Sequence, residues 1–331
     1  MHDAGAYRRH TRLALRGLFG VIGFVALALL IRSAGARSLL EALRIAARWL
    51  PLLLALDVLR IGCEALGTFY LSRLVRRMPM ARLLRIHFIG YSVGAVMPAG
   101  RSASEAVKAT MLAGALGAPR AAAIAATNQG MSLLSGAVCG LPCAVAAYSY
   151  TRLSLLTLAI LGYSLLASLG FVMVQIACRR RELGGILSRR FARVRAVTRA
   201  FHSALDEIPV VPGRALLMAV LSRLLHAVEV AILVFAVGGS MGIGALFLSQ
   251  GVSLVGNSLG DLIPGQFGAA DGAFAFAAPA LGITAAAAIS VSLMVHCLQV
   301  FWALFGAVVP LFWQAWTPAF AAVGPKPATP P

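Results

Sequence analysis

Charge is scarce in this chain, and much of it falls inside long apolar stretches. Six of the eleven acidic residues lie there: Asp57, Glu64, Glu105, Glu229, Asp261 and Asp271. Intramembrane charge costs about 2.5–3.5 kcal/mol per residue on insertion scales, and residues kept at that cost mark function by default. Asp57, Arg60 and Glu64 stand at i, i+3 and i+7, within about 60° of one another on a helix. That spacing suits an Asp–Arg pair with a second carboxylate beside it. Arg223, His226 and Glu229 recur every third residue, with Arg223 close enough to a membrane boundary to snorkel. These six residues read as structural ion pairs or as a proton relay, and His226 also as a hydrogen-bonded core residue. His296 reads as a hydrogen-bonded core residue.

A denser cluster runs Pro98-Ala99-Gly100-Arg101-Ser102-Ala103-Ser104-Glu105-Ala106-Val107-Lys108. Pro98 and Gly100 break a helix, and Ser102 or Ser104 is suited to cap the next one. A helix N-terminus offers free N–H groups and partial positive charge, which suit phosphate. Arg101 beside it adds a guanidinium able to grip phosphate in a bidentate way. Glu105 and Lys108 are placed to pair. A second break contains Pro264, Gly265 and Gly268 and sets the carboxylates Asp261 and Asp271 around the turn. Together the two breaks read as a site for an anionic headgroup beside a titratable acid.

These residues are carried by membrane-spanning helices. Hydrophobic residues make up 60% of the 331 residues and charged residues 12%, against about 45–50% and about 25% in soluble domains. Soluble enzymes, nucleic-acid modules and disordered chains are excluded by that balance. Runs long enough to span lie at Leu13–Ile31, Leu50–Leu71, Ala121–Tyr148, Leu153–Ala177, Ala215–Val237 and Ile283–Trp316. Two further stretches, His87–Gly117 and Ile243–Leu281, are apolar but broken into pieces too short to cross. Each reads as a re-entrant helix pair, whose irregular backbone is tolerated where protein or a watery cavity satisfies it.

The net charge is +18, and of 29 basic residues only Lys108 and Lys326 are lysine. With the N-terminus cytoplasmic, nineteen Lys and Arg fall inside against five outside, a positive-inside distribution. The expected fold is therefore an all-α integral membrane protein of about six full spans plus two re-entrant helix pairs. One pair enters from each side, so the halves form an inverted repeat, an arrangement that places substrate near the midplane. Residues 1–316 form the membrane domain and 317–331 a Pro-rich disordered tail. The segment from Arg32 to Arg48 reads as an amphipathic helix on the outer surface. The Cys178–Glu207 segment reads as a helix along the inner leaflet, its Arg179–Arg199 charges on anionic phospholipid.

The five cysteines form no C-x-x-C pair and read as small buried residues. No metal, no cofactor and no catalytic constellation is expected, so the chain reads as a non-enzyme.

Two stretches resemble the transmembrane region of lysylphosphatidylglycerol synthases, a flippase-like family of bacterial and archaeal membrane proteins. Met97–Lys108 is similar to that family's P-G-R-x-x-G-[DE]-x-x-R segment, and Ile263–Ala273 to its P-G-G-x-G-x-x-E segment. Ser104 replaces a Gly, Lys108 an Arg and Asp271 a Glu, while Asn128-Gln129 stands near an expected Glu-Arg pair. The likeness extends over most of residues 10–316. It implies movement of a lipid between leaflets: in full-length synthases an aminoacylated phospholipid, in stand-alone members polyprenyl-linked or hopanoid-type lipids. The chain carries no soluble synthase domain after its last span, so lipid synthesis is not expected of it.

The expected function is a lipid translocase of the bacterial cytoplasmic (inner) membrane, with membrane lipids as partners and no nucleic acid. Arg101, Ser104, Lys108 and the helix end would hold a headgroup phosphate. Glu105, Asp261 and Asp271 would take a cationic moiety or protons. Two rival readings share these residues: a non-transporting subunit working with a lipid-synthesis enzyme or glycosyltransferase, and a proton-coupled small-solute transporter.

Overall fold

A computed structural model describes residues 36–74, 78–97, 99–180, 192–261, 263 and 266–313. The expected first span, Leu13–Ile31, and the Pro-rich tail lie outside these residues, as do Pro98, Pro264 and Gly265. Among the described residues all regular structure is helical. The elements are α1 (Ala36–Ala47), α2 (Leu50–Arg73), α3 (Met80–Val96), α4 (Gly100–Leu116), α5 (Ala118–Thr151) and α6 (Leu155–Arg179). They continue with α7 (Ala192–Asp206), α8 (Gly213–Ala236), α9 (Ile243–Leu259), α10 (Ala269–Leu281) and α11 (Ala285–Trp313).

Four of these, α5, α6, α8 and α11, are long and apolar enough to cross a membrane, and α9 and α10 are shorter apolar helices. Helix α2 is as long as α8, 24 residues each, but carries Asp57, Arg60 and Glu64 along its length. Boundaries follow local chemistry. Pro51 and Pro119 sit in the first turns of α2 and α5, where a missing N–H costs nothing. Ser154 caps α6 by accepting the Thr157 N–H at 3.3 Å. Gly117 between α4 and α5 and Gly282 after α10 take positive φ angles of 83° and 69°, which glycine adopts without strain. The two broken stretches are each a pair of short helices, α3–α4 and α9–α10.

The helices pack reciprocally. Helix α2 lies on α8, α3 on α11, and α9 on α5, while α4 packs on α5 and α10 on α11. Helix α1 is not confined to the surface: it packs on α11 and α8, with Ala46 buried. Two large apolar clusters result. One joins Leu53 at the start of α2 with Cys143, Val230, Leu281 and Val291. The other joins Leu71 at the end of α2 with Leu83, Leu116, Ile124, Leu205 and Ala215. Helices α2, α5 and α8 each give one end to each cluster, and between the clusters their middle turns carry the polar residues.

The segment after α6 is described as helix only over α7, which packs against α5 through Ala204 and Leu205. Residues 181–191 lie outside the described residues. Arg179 does not face lipid freely. Its Nε donates to Gln175 Oε1 at 3.0 Å, and one terminal nitrogen donates to the Ile208 carbonyl at 2.9 Å.

Candidate functional site

The two breaks meet. The Ala99 N–H donates to the Asp261 carbonyl at 2.8 Å, joining the tip of α3–α4 to the tip of α9–α10. Two of the three non-glycine residues with positive φ among the described residues are there, Ala99 at 53° and Gln266 at 61°, with Gly268 at 80° beside them. Backbone strain of this kind gathers at functional sites. Helix α4 begins at Gly100, after Ala99 in the left-handed conformation, and no side chain caps it. Ser102 and Ser104, expected as caps, lie inside the helix. The reason is the tightness of the reversal. A Cβ on Gly100 would fall onto the Gly94 carbonyl, whose carbon would be 3.1 Å away, and one on Gly94 would lie 3.0 Å from the Gly100 carbonyl oxygen. Further along, a Cβ on Gly90 would sit 2.7 Å from Lys108 Cε. Small residues let the two backbones touch, as at close helix crossings in membranes, and leave no room for a polar cap.

Beside the joined tips lies a cavity of about 410 Å³, continuous in its lining with a second chamber of about 160 Å³. The larger volume falls within the range of small-molecule sites, about 300–1,000 Å³. Arg60, Glu64, Arg101, Glu105, Lys108, Arg223 and His226 line both. Ser104, Glu229, Asp261 and His296 line the larger one.

Most of these charges are already engaged. Lys108 Nζ donates to Glu105 Oε1 at 2.8 Å, both residues being buried. Arg60 Nε donates to Asp57 Oδ1 at 2.8 Å, and Trp302 Nε1 to Asp57 Oδ2 at 2.9 Å. Asp57 and Arg60 thus form an internal pair, clamped to α11 by Trp302 and to α3 through Arg60 and the Tyr91 hydroxyl at 3.1 Å. His226 Nδ1 lies 3.6 Å from Glu229 Oε2, and its Nε2 is 3.2 Å from Ser253 Oγ. Arg223 does not snorkel: it points inward, donating from Nε to Ser135 Oγ and from a terminal nitrogen to the Ser132 carbonyl, each at 2.9 Å. It stands in the middle of α8, facing Gly136 on α5, within reach of the two serines.

Asp271 is fully buried and does not line the cavity. Its Oδ2 accepts the Gly268 N–H at 2.7 Å, fixing the start of α10, and its Oδ1 lies 3.4 Å from His296 Nε2. Two lining carboxylates are less confined. Glu64 is 28% exposed and accepts from Ser222 Oγ at 3.3 Å, and Asp261 is half-buried. Arg101 lines both chambers and, among the described residues, makes no hydrogen bond or ion pair.

Several participants are not among the expected site residues, although the family resemblance points to the Asn128-Gln129 position. Trp302, Tyr91, Ser132, Ser135 and Gln129 all line the cavity or hold its charges. Asn128 Nδ2 donates to Thr68 Oγ1, which lies 2.9 Å from His87 Nε2, and this chain borders the smaller chamber. Polar residues at helical spacing on α5, from Asn128 to Ser135, are a further signal that could have found part of this set.

Among the described residues no group of His, Cys, Asp and Glu is placed to hold a metal ion, and Cys63, Cys139, Cys143, Cys178 and Cys297 are free. The arrangement offers one uncommitted guanidinium at a break in the helices, backed by paired charges between two apolar layers. The chain matches no curated protein and no solved structure. The family model for the lysylphosphatidylglycerol synthase TM region matches residues 15–306. The chain therefore belongs to the lysylphosphatidylglycerol synthase transmembrane-region family of multi-pass membrane proteins.

Proposed function

We propose that this protein is a lipid translocase of the bacterial inner membrane, with a cytoplasmic N-terminus and its core built as an inverted repeat. The headgroup of a phosphate-bearing lipid, of the aminoacylated, polyprenyl or hopanoid type, binds in the larger cavity and passes between leaflets without covalent chemistry. One observation carries the reading. The two breaks are joined by the Ala99–Asp261 bond beside a polar cavity whose uncommitted cation, Arg101, stands in the first turn of α4. A cation at a helix N-terminus suits phosphate, and Arg101 is exposed and so open to a ligand.

The reciprocal packing of α2–α3–α4–α5 and α8–α9–α10–α11 supports the inverted repeat. In this reading α3–α4 enters from the cytoplasm, α9–α10 enters from outside, and the two tips touch near the midplane. Lys108 acts by holding Glu105 in place, and Arg101 is the phosphate ligand. The basic segment around α7 rests on anionic phospholipid.

Native mass spectrometry of the purified protein with its co-purified lipids tests this. Wild type should retain one phosphate-bearing lipid class, and Arg101→Ala should lose it while keeping its melting temperature. Equal retention by the mutant would remove Arg101 from the site. Bulk lipid on both proteins would favour the complex-subunit reading.

A further inference from the structure

We infer that Arg223 is a second cationic ligand of the headgroup phosphate, so that the anion is held from both halves of the molecule, by Arg101 on α4 and by Arg223 on α8. This rests on the headgroup reading above and adds a residue to that site.

Four cationic side chains line the larger cavity, and all four also line the smaller chamber: Arg60, Arg101, Lys108 and Arg223. They fall into two kinds. Asp57 answers the charge of Arg60, and Glu105 that of Lys108. Arg101 and Arg223 have no carboxylate within ion-pair distance among the described residues. An arginine at membrane depth pairs with an opposite charge or faces a substrate path.

Every hydrogen-bond partner of Arg223 is neutral. Its Nε donates to Ser135 Oγ and its Nη2 to the Ser132 carbonyl, each at 2.9 Å. A guanidinium carries five N–H donors, and these bonds leave Nη1 without a partner among the described residues. Unlike the unbonded nitrogens of His296, Nη1 keeps accessible surface, and the residue as a whole is half-buried. The serines therefore fix one edge of the guanidinium and leave its charge unanswered beside the cavity.

Arg101 and Arg223 are near enough to act on each other as like charges. Glu64 acts on Arg101, but Arg223 is not among the cations that act on Glu64. Two guanidinium groups brought together without a shared carboxylate are stabilised by an anion between them, and phosphate takes such groups in a bidentate way. Gly136 leaves the space for this. A Cβ there would collide with the Tyr163 hydroxyl and lie 3.1 Å from Arg223 Nη2.

The test is titration of the full chain in detergent micelles with dioctanoyl phosphatidic acid, with a melting temperature for each variant. Arg223→Gln keeps a donor for the serines and removes the charge. It should weaken binding about tenfold or more, the effect of losing charge-assisted bonds. Arg223→Lys, which keeps the charge, should recover part of that loss. Gly136→Ala alters no charge and crowds only side-chain ends; it should also weaken binding, and covers the case in which Arg223→Gln fails to fold. Affinity that follows melting temperature whatever the charge would make Arg223 a structural tie between α8 and α5. That result, or wild-type affinity in both Arg223→Gln and Gly136→Ala, would overturn the role of Arg223 and leave the Arg101 site standing. Phosphatidic acid binding that survives Arg101→Ala would overturn the headgroup reading itself.

Discussion

Gly100→Ala and Gly114→Ala are the same chemical change on the same helix, and the geometry gives them opposite signs. An added methyl at Gly100 would fall onto the Gly94 backbone carbonyl, while nothing lies within 4 Å of a Cβ at Gly114. A backbone carbonyl cannot rotate aside as a side-chain end can, so α3 and α4 must separate. Overpacking of this kind costs about 1–3 kcal/mol. Separation also strains the neighbouring Ala99–Asp261 bond, worth about 0.5–1.5 kcal/mol. At Gly114, inside α4 with open space around it, alanine gains about 0.5–1 kcal/mol by restricting the unfolded chain. The two variants should therefore differ by about 2–5 kcal/mol. Thermal unfolding in one detergent ranks them: Gly100→Ala should melt below wild type and Gly114→Ala at or above it. Equal melting temperatures would refute the backbone contact between α3 and α4, and with it the joined tips.

Two other outcomes follow from the same geometry. Asp57→Asn leaves the Arg60 guanidinium buried without its counter-charge and should destabilise the protein by about 3–5 kcal/mol, whereas Glu64→Gln at a 28% exposed carboxylate should cost about 1 kcal/mol or less. Matching losses in a denaturation assay would remove the distinction between the clamped pair and the open carboxylate. For orientation, single cysteines in a cysteine-free background should react with an impermeant thiol reagent in intact cells at Arg152→Cys. At Arg82→Cys they should react only after permeabilisation, and the reverse pattern would invert the topology.

Much of the helical framework is legible in the sequence because lipid leaves few choices. An apolar run long enough to span folds as a helix, and Pro and Gly punctuate it. The run read as Leu50–Leu71 is the helix Leu50–Arg73, and Ala215–Val237 is Gly213–Ala236. The break at Ala99 falls beside the glycine that marks it. What local pattern does not carry is partnership across the chain. Trp302 reaches Asp57 over 245 positions, and no spacing rule encodes that contact.

Two local expectations fail for the same reason. Serine caps are the general preference at helix starts, but at Gly100 the demand for backbone contact with Gly94 outweighs it. Snorkelling suits an arginine near a helix end, but Arg223 finds Ser132 and Ser135 inside. The acid Asp271 is visible as a charge near a break, yet its buried work at the Gly268 N–H depends on a turn whose geometry the letters do not state.

The most direct test of the central claim is a cryo-EM map of the protein in nanodiscs made from its native lipid. Headgroup density should lie in the larger cavity beside the joined tips, with a phosphate within hydrogen-bond reach of Arg101. A well-resolved map with the Ala99–Asp261 contact intact, lipid density only around the perimeter and none in the cavity would contradict the account.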